Sequence, residues 1–491
     1  MLRDCRITII KNHRGYPQFA GFNCSYQLEL KKYSGRSNAY FSHIQEVMEN
    51  TETMVIDQNE LQLSLNLNVR GIEPSATLEI NERSKRLEAQ GNKMFRMGLG
   101  QSPFPVPTLV VDALKINAYR KDYLDVKGLH QLRTAVAGFH ENKDLSRFDP
   151  DNILIGPGSK ELMFILMLTF YGEIILPSPS WVSYHPQAKI LGRPVTFVET
   201  SFESKWKIMG EDLERLIHSQ NDAHRPRVVV LNYPANPDGM TYTENELREL
   251  AEVGRKHNVI FLSDEIYGML NFEGQHLSMA RYYPEGTIIS SGLSKWCGAG
   301  GWRLGTFSFP SNLTRLMETM SAVASETYTS VSAPIQYAAI RAFECGISIE
   351  RYLWRVRKIL KALAERTVAI LHEANIKVHM PDGAFYLFID MSEYTDALKS
   401  RGINNGVELC NKLLDETGVA ILPGAFFNRN REEFTARLAL VNFDGAKALA
   451  KVETRSMDQP LPEEFIDFYC ADVVEAVLRI VNWCKNGTSL N

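Results

Sequence analysis

Between residues 150 and 310 short apolar, mostly β-branched runs recur at 153–155, 174–176, 228–231, 259–262, 287–289 and 306–309, alternating with longer helical patterns. Runs with no polar alternation are strands buried on both faces, and strands alternating with helices make a mainly parallel sheet. The fold class is therefore α/β, and in such a sheet ligands collect beyond the carboxyl ends of the strands. Beyond residue 365 the pattern changes to a strand at 384–390, another near 419–422 and a final helix over 462–484, which predicts a smaller α+β domain. Upstream, residues 75–90 read as an amphipathic helix, and the Gly/Pro-rich stretch 98–107 reads as a loop. In the first 74 residues, Leu61, Leu63, Leu65, Leu67 and Val69 alternate with polar residues, a strand pattern with one buried face. The expected organisation is a β-leaning extension (1–74), an arm joining the small domain (75–110), a large domain (111–365) and a small domain (366–491).

A chain of 491 residues has room for two to four domains at roughly 100–200 residues each. Its 54 Lys and Arg nearly balance 58 Asp and Glu, so the net charge of −4 gives no chain-wide reason to bind nucleic acid or an anionic membrane. The first 74 residues are themselves neutral, with eight charges of each sign, which argues against a nucleic-acid reader there. The longest apolar run, 162–170, is far short of the roughly 18–20 residues that span a bilayer and reads as a buried helix. Seven scattered cysteines with no CxxC pair signal neither a disulfide framework nor a metal site. No secretory signal opens the chain, so a cytoplasmic location is expected and the Asn-x-Thr triplets at Asn312 and Asn486 are chance.

The residues just past the predicted strands carry the chemistry. Asn236 stands in Asn-Pro-Asp-Gly, Asp264 and Tyr267 in Ser-Asp-Glu-Ile-Tyr, and Lys295 in Ser-Gly-Leu-Ser-Lys-Trp. An amide, an acid, a phenol and an amine thus converge on one sheet edge. A desolvated lysine loses its proton readily, which an amine needs in order to attack a carbonyl, so Lys295 is the candidate Schiff-base nucleophile.

From about residue 75 to the end, the chain resembles the class I/II aminotransferases of fold type I, which use pyridoxal 5'-phosphate. The resemblance rests on an ordered set: Gly-Leu-Gly-Gln-Ser-Pro-Phe-Pro at 98–105, Tyr123, Gly128, Leu132-Arg133, Gly158-Ser159-Lys160, Trp181, Asn236-Pro237-x-Gly239, Asp264, Tyr267, Lys295, Gly301-Trp302-Arg303-Leu304-Gly305, Gly383-Ala384-Phe385-Tyr386, Pro423-Gly424 and Arg437. It implies that Asp264 pairs with the cofactor's ring nitrogen, while Tyr267 and Asn236 donate to its phenolic oxygen. A carboxylate about 4 Å from that nitrogen is worth roughly 4 kcal/mol at an effective dielectric near 20. Ser159, Lys160 and Arg303 are implied phosphate partners, with Ser159 a plausible cap for a helix beginning near Leu162. Where the family often has a hydroxyl three residues before the lysine, this chain has Gly292, and Ser291 or Ser294 stands in. Trp181 resembles the aromatic that stacks on the pyridine ring. Arg437 matches the arginine that grips the substrate α-carboxylate, assisted by the backbone at Gly100. Tyr123 resembles the tyrosine given to a neighbouring subunit's phosphate, which implies a homodimer with a composite site.

The implied reaction moves an amino group from an L-amino acid to a 2-oxo acid by a ping-pong route. Lys160 falls where some bacterial aspartate and prephenate aminotransferases place a lysine for the distal carboxylate, so an acidic donor, aspartate or glutamate, is favoured. The alternative is that Lys160 only neutralises phosphate. Two other readings use the same fold: a carbon–sulfur lyase or cyclopropane-forming synthase, and a regulator in which residues 1–74 bind DNA ahead of a pyridoxal-phosphate domain.

Overall fold

Seven strands form the central sheet, lying side by side in the order Ile153–Gly156, Gly305–Ser308, Thr287–Gly292, Ile260–Asp264, Arg227–Asn232, Glu173–Ser178 and Val195–Glu199. The computed structural model describes residues 65–72, 76–220, 222, 224–456 and 459–486. Helix α1 (Ala76–Ala89) leads to the two-residue strand β1 (Phe95–Arg96) and an irregular stretch through Pro107. The sheet then builds through β2 (Ile153–Gly156), helix α2 (Ser159–Thr169), β3 (Glu173–Ser178), helix α3 (Tyr184–Ile190), β4 (Val195–Glu199) and β5 (Arg227–Asn232). Helix α4 (Glu244–His257), β6 (Ile260–Asp264), β7 (Thr287–Gly292) and β8 (Gly305–Ser308) complete it. All strands run parallel except β8, which is antiparallel to both neighbours.

Successive residues of one strand enter different cores, which explains the unbroken apolar runs. On β5, Val228 and Val230 pack with Leu162, Leu166 and Tyr184 on one face, while Val229 and Leu231 pack with Leu213, Leu247 and Leu250 on the other. Helix α4 starts where Thr243 and Glu246 cap one another's backbone N–H, and it ends at Asn258 in the left-handed conformation.

The C-terminal portion forms a three-stranded antiparallel sheet, β11 (Leu422–Pro423), β12 (Thr435–Ala439) and β9 (Tyr386–Asp390). Strand β10 (Val419–Ala420) pairs in parallel with β1, tying the segment before the Gly/Pro loop to this part of the chain.

Four expectations need correction. The described part of the alternating N-terminal stretch, residues 65–72, is a run of turns in which Leu65, Leu67 and Val69 are exposed, because Asn66 accepts from the backbone of Val69 and Arg70 and closes the chain on itself. The rest of that stretch lies outside the described residues. Helix α2 begins at Ser159, one turn before Leu162, with Gly158 rather than Ser159 as its cap. The final helix is two helices, Phe465–Tyr469 and Ala471–Asn486, broken at Cys470. Finally, the predicted 384–390 strand begins only at Tyr386, since Ala384 has φ +59°. Cys297, Cys345, Cys410, Cys470 and Cys484 are free thiols. Among the described residues no helix is long and apolar enough to cross a membrane.

Candidate active site

Strand register brings the chemistry together. Asn232, Asp264 and Ser290 are paired neighbours at the carboxyl ends of β5, β6 and β7. Beside them Gly156, Gly305 and Gly292 align across β2, β8 and β7. Beyond this edge lies a cavity of about 360 Å³, whose wall includes Gly100, Ser159, Lys160, Trp181, Asn236, Asp264, Tyr267, Ser294, Lys295, Arg303, Tyr386 and Arg437.

Asp264 is buried, with Oδ2 accepting from the Tyr184 hydroxyl at 2.6 Å and Oδ1 from Ser290 Oγ at 3.1 Å. Burial pushes its carboxyl up to about 6, against the opposing pull of those two hydroxyls, the Ile266 N–H and the Lys295 charge. Lys295 opens onto the same cavity, its Nζ donating to the Gly100 carbonyl at 2.6 Å. Burial and the Arg437 charge bring its ammonium down to about 8. An acid and an amine whose proton affinities are both shifted towards neutrality therefore share one cleft.

The opposite charge gathers at the start of α2. A helix N-terminus presents unpaired backbone N–H groups, and here it is joined by Lys160 and Arg303. Lys160 Nζ lies 5.1 Å from the Trp181 ring centre, and desolvation of the ammonium together with the Arg303 charge lowers its pKa. Arg303 donates to the Gly300 and Pro157 carbonyls at 3.0 and 3.2 Å. Glycine is required around this group, at 158 for its φ of +90° and at 305 for space. A Cβ on Gly158 would stand 2.1 Å from Arg303 Nη2, and one on Gly305 would stand 2.2 Å from the Ser159 nitrogen.

Arg437, on β12, is fully buried; Nη1 donates to Asn236 Oδ1 at 2.9 Å and Nη2 to the Gly98 carbonyl. Its Nε has no hydrogen-bond partner, and among the described residues no carboxylate pairs with it. A buried guanidinium without a counter-ion is a ready receptor for a carboxylate. Asn236 sits in the predicted turn, its N–H held by Asn232 Oδ1 at 2.8 Å. The Tyr267 and Tyr386 hydroxyls lie 2.7 Å apart, and Tyr386 stands so close to Gly100 that a Cβ there would lie 1.9 Å from its oxygen.

Of the candidate cofactor and substrate residues, Ser291 and Tyr123 do not line the cavity. Ser291 and Gly292 lie within β7, where a Cβ at 292 would stand 2.6 Å from the Leu304 carbonyl, so no hydroxyl side chain fits; Ser294 does line the wall. Tyr123 is 89% exposed on the surface. Sequence reasoning missed Tyr184 and Ser290 behind Asp264, and it quoted Tyr386 without a role. Tyr184 stands three positions after Trp181, in Trp-Val-Ser-Tyr, and that spacing was the available signal. Elsewhere, Glu214, His218 and His257 bring metal-competent atoms within 4.8 Å of one another at the surface, where Lys256 Nζ already holds Glu214 at 2.5 Å.

Together the sheet and its cavity define a fold-type I transferase. The family model described as aminotransferase class I and II matches residues 92–441. Aspartate aminotransferase of Bacillus sp. (strain YM-2) is 32% identical over 370 residues, covering 73% of this chain and 91% of that protein. Asparagine–oxo-acid transaminase of Streptococcus mutans is 31% identical over 383 residues, covering 74% and 92%. The solved aspartate aminotransferase from Thermus thermophilus with maleate superposes with a TM-score of 0.72 at 26% identity, covering 86% of this chain and 99% of that one. The chain belongs to the class I and II aminotransferases. It is a transaminase, moving an amino group between an amino acid and a 2-oxo acid.

Proposed function

We propose that this transaminase binds pyridoxal 5'-phosphate at the strand ends and takes its amino group from an acidic L-amino acid, aspartate or glutamate. The observation that carries this reading is the charge of the cavity: Lys160, Lys295, Arg303 and Arg437 face Asp264 as the one carboxylate among its lining residues. Even with Lys295 set aside as the nucleophile, three cationic side chains face one carboxylate, a positive excess that suits a phosphate and a dicarboxylic substrate.

The residues present fit the cofactor. The α2 N-terminus, Ser159, Arg303 and Ser294 form a cradle for its phosphate, kept open by Gly158 and Gly305. Asp264 is the partner for its ring nitrogen, Trp181 a stacking surface, and Asn236 and Tyr267 donors for its phenolic oxygen. When bound, the cofactor supplies an aldehyde that captures amines and a protonated ring that takes up negative charge.

At pH 7.5 an amine of pKa about 8 is about one-quarter neutral. Lys295 therefore serves as nucleophile and, once released, as the base that moves the substrate's Cα proton. Arg437 and the backbone at Gly100 hold the α-carboxylate, and Lys160 reaches the distal one. The activities for which the Bacillus and Streptococcus relatives are named, on aspartate and asparagine, support a short polar donor.

The working enzyme is a cytoplasmic homodimer in which Tyr123 enters the partner's phosphate site. Exposed Ile116, Tyr119 and Tyr123 on one short stretch support burial against a second copy. Residues 75–110 act as an arm, 111–365 as the cofactor-binding domain and 366–491 as the small domain.

A half-reaction panel tests the donor: about twenty amino acids, each mixed with loaded enzyme without an oxo acid and followed by the cofactor's visible band. Aspartate or glutamate should bleach it fastest. Equal bleaching by alanine or an aromatic amino acid would reject the acidic preference, and steady release of pyruvate or ammonia would mark a lyase instead.

A further inference from the structure

We propose that Tyr184 is a positioning residue for the reaction, its buried hydroxyl holding the Asp264 carboxylate ionised and oriented towards the cofactor's ring nitrogen. This rests on the cofactor reading above and extends it to a residue behind the cavity wall.

Tyr184 opens helix α3 and is buried, its ring edge against Trp181 with centroids 5.1 Å apart. Its hydroxyl donates to Asp264 Oδ2 at 2.6 Å, bridging 80 positions of sequence. That length is typical of an O–H donor to an ionised carboxylate, stronger than a neutral pair. Tyr184 keeps the proton it donates, since burial and the Asp264 charge hold its own ionisation well above the ordinary phenol range. The groups facing Asp264 are Tyr184 from α3, Ser290 from β7, the Ile266 N–H and Tyr267 from the segment after β6, and Lys295 from the segment after β7. Burial works against the carboxylate, and Tyr184 heads the interactions opposing it. Without that donor Asp264 keeps its proton to higher pH, and a neutral Asp264 cannot hold a proton on the ring nitrogen by charge.

The test compares two probes in cofactor-free protein: pyridoxal 5'-phosphate and its 1-deaza analogue, in which a carbon replaces the ring nitrogen. Dissociation constants are read from quenching of tryptophan fluorescence. Tyr184→Phe keeps the ring and its packing and removes only the hydroxyl. It should weaken pyridoxal phosphate on the order of tenfold at pH 7.5, leave the analogue within twofold, and move the pH midpoint of cofactor binding upwards. Ser290→Ala removes the donor to the other carboxylate oxygen; it should shift the same comparison less and carries the test if the first variant does not fold. Equal weakening of both probes would show that Tyr184 serves only packing, and unchanged affinity for both would show that its hydroxyl does not act through Asp264; either overturns the proposal while leaving the transaminase reading intact. Failure of the wild type to bind pyridoxal phosphate would overturn the cofactor reading itself.

Discussion

Arg437 donates to Asn236 across 2.9 Å, joining the C-terminal antiparallel sheet to the turn that follows β5 of the central sheet. The bond turns the carbonyl oxygen of Asn236 to the guanidinium and leaves its amide hydrogens free, the polarity that the phenolic oxygen of the proposed cofactor would require. It also fixes the guanidinium that awaits a carboxylate. A lysine has no planar fork to hold both partners. Arg437→Lys should therefore lower kcat/KM for the amino donor on the order of 100-fold, about 3 kcal/mol, while cofactor affinity changes less than threefold. Steady-state kinetics and a cofactor titration separate the two effects.

Lys160 distinguishes substrate recognition from phosphate binding. If its ammonium meets the distal carboxylate, Lys160→Ala raises KM for aspartate far more than for alanine, on the order of 30-fold against less than threefold. A matching change for both amino acids, accompanied by a weaker cofactor, would assign it to the phosphate alone.

Gly305 tests the phosphate cradle by shape. A methyl there would meet the Ser159 nitrogen and the Gly158 backbone, neither of which can swing aside like a side-chain tip. Gly305→Ala should weaken pyridoxal phosphate at least tenfold by equilibrium dialysis, with a smaller effect on pyridoxal, which lacks the phosphate.

The buried acid implies a stability cost in the cofactor-free protein. Asp264 rises from 3.8 to about 6 on folding, so between those values the folded chain binds the extra proton and stability falls as pH rises. The cost is complete above pH 6, about 3 kcal/mol from the two-unit shift. Cofactor-free Asp264→Asn should be more stable than wild type by up to that amount at pH 7.5 in urea unfolding, with the difference gone below pH 4.

The sheet was legible because its central strands are apolar on both faces: residues 228–231 alternate between two cores, so every position had to be hydrophobic. Strand β4 was not, since Val195, Thr196 and Phe197 lie half-buried at the sheet's edge and give a weaker pattern. Strand β12, Thr-Ala-Arg-Leu-Ala, has little strand-forming character of its own and is ordered by its neighbours β9 and β11. The first turn of α2 is polar, Ser-Lys-Glu, and periodicity placed its start at the apolar residues that follow. Within the site, residues that terminate strands were readable from their motifs. Tyr184 was not, because its role depends on the register that brings α3 against β6.

The central claim is covalent attachment of the cofactor through one amine. Borohydride reduction of the loaded protein, followed by peptide mapping, tests it most directly. The account predicts a single pyridoxyl group on the peptide containing Lys295, and none in Lys295→Ala. A label on any other lysine, or wild-type protein that stays colourless with added pyridoxal 5'-phosphate, would contradict it.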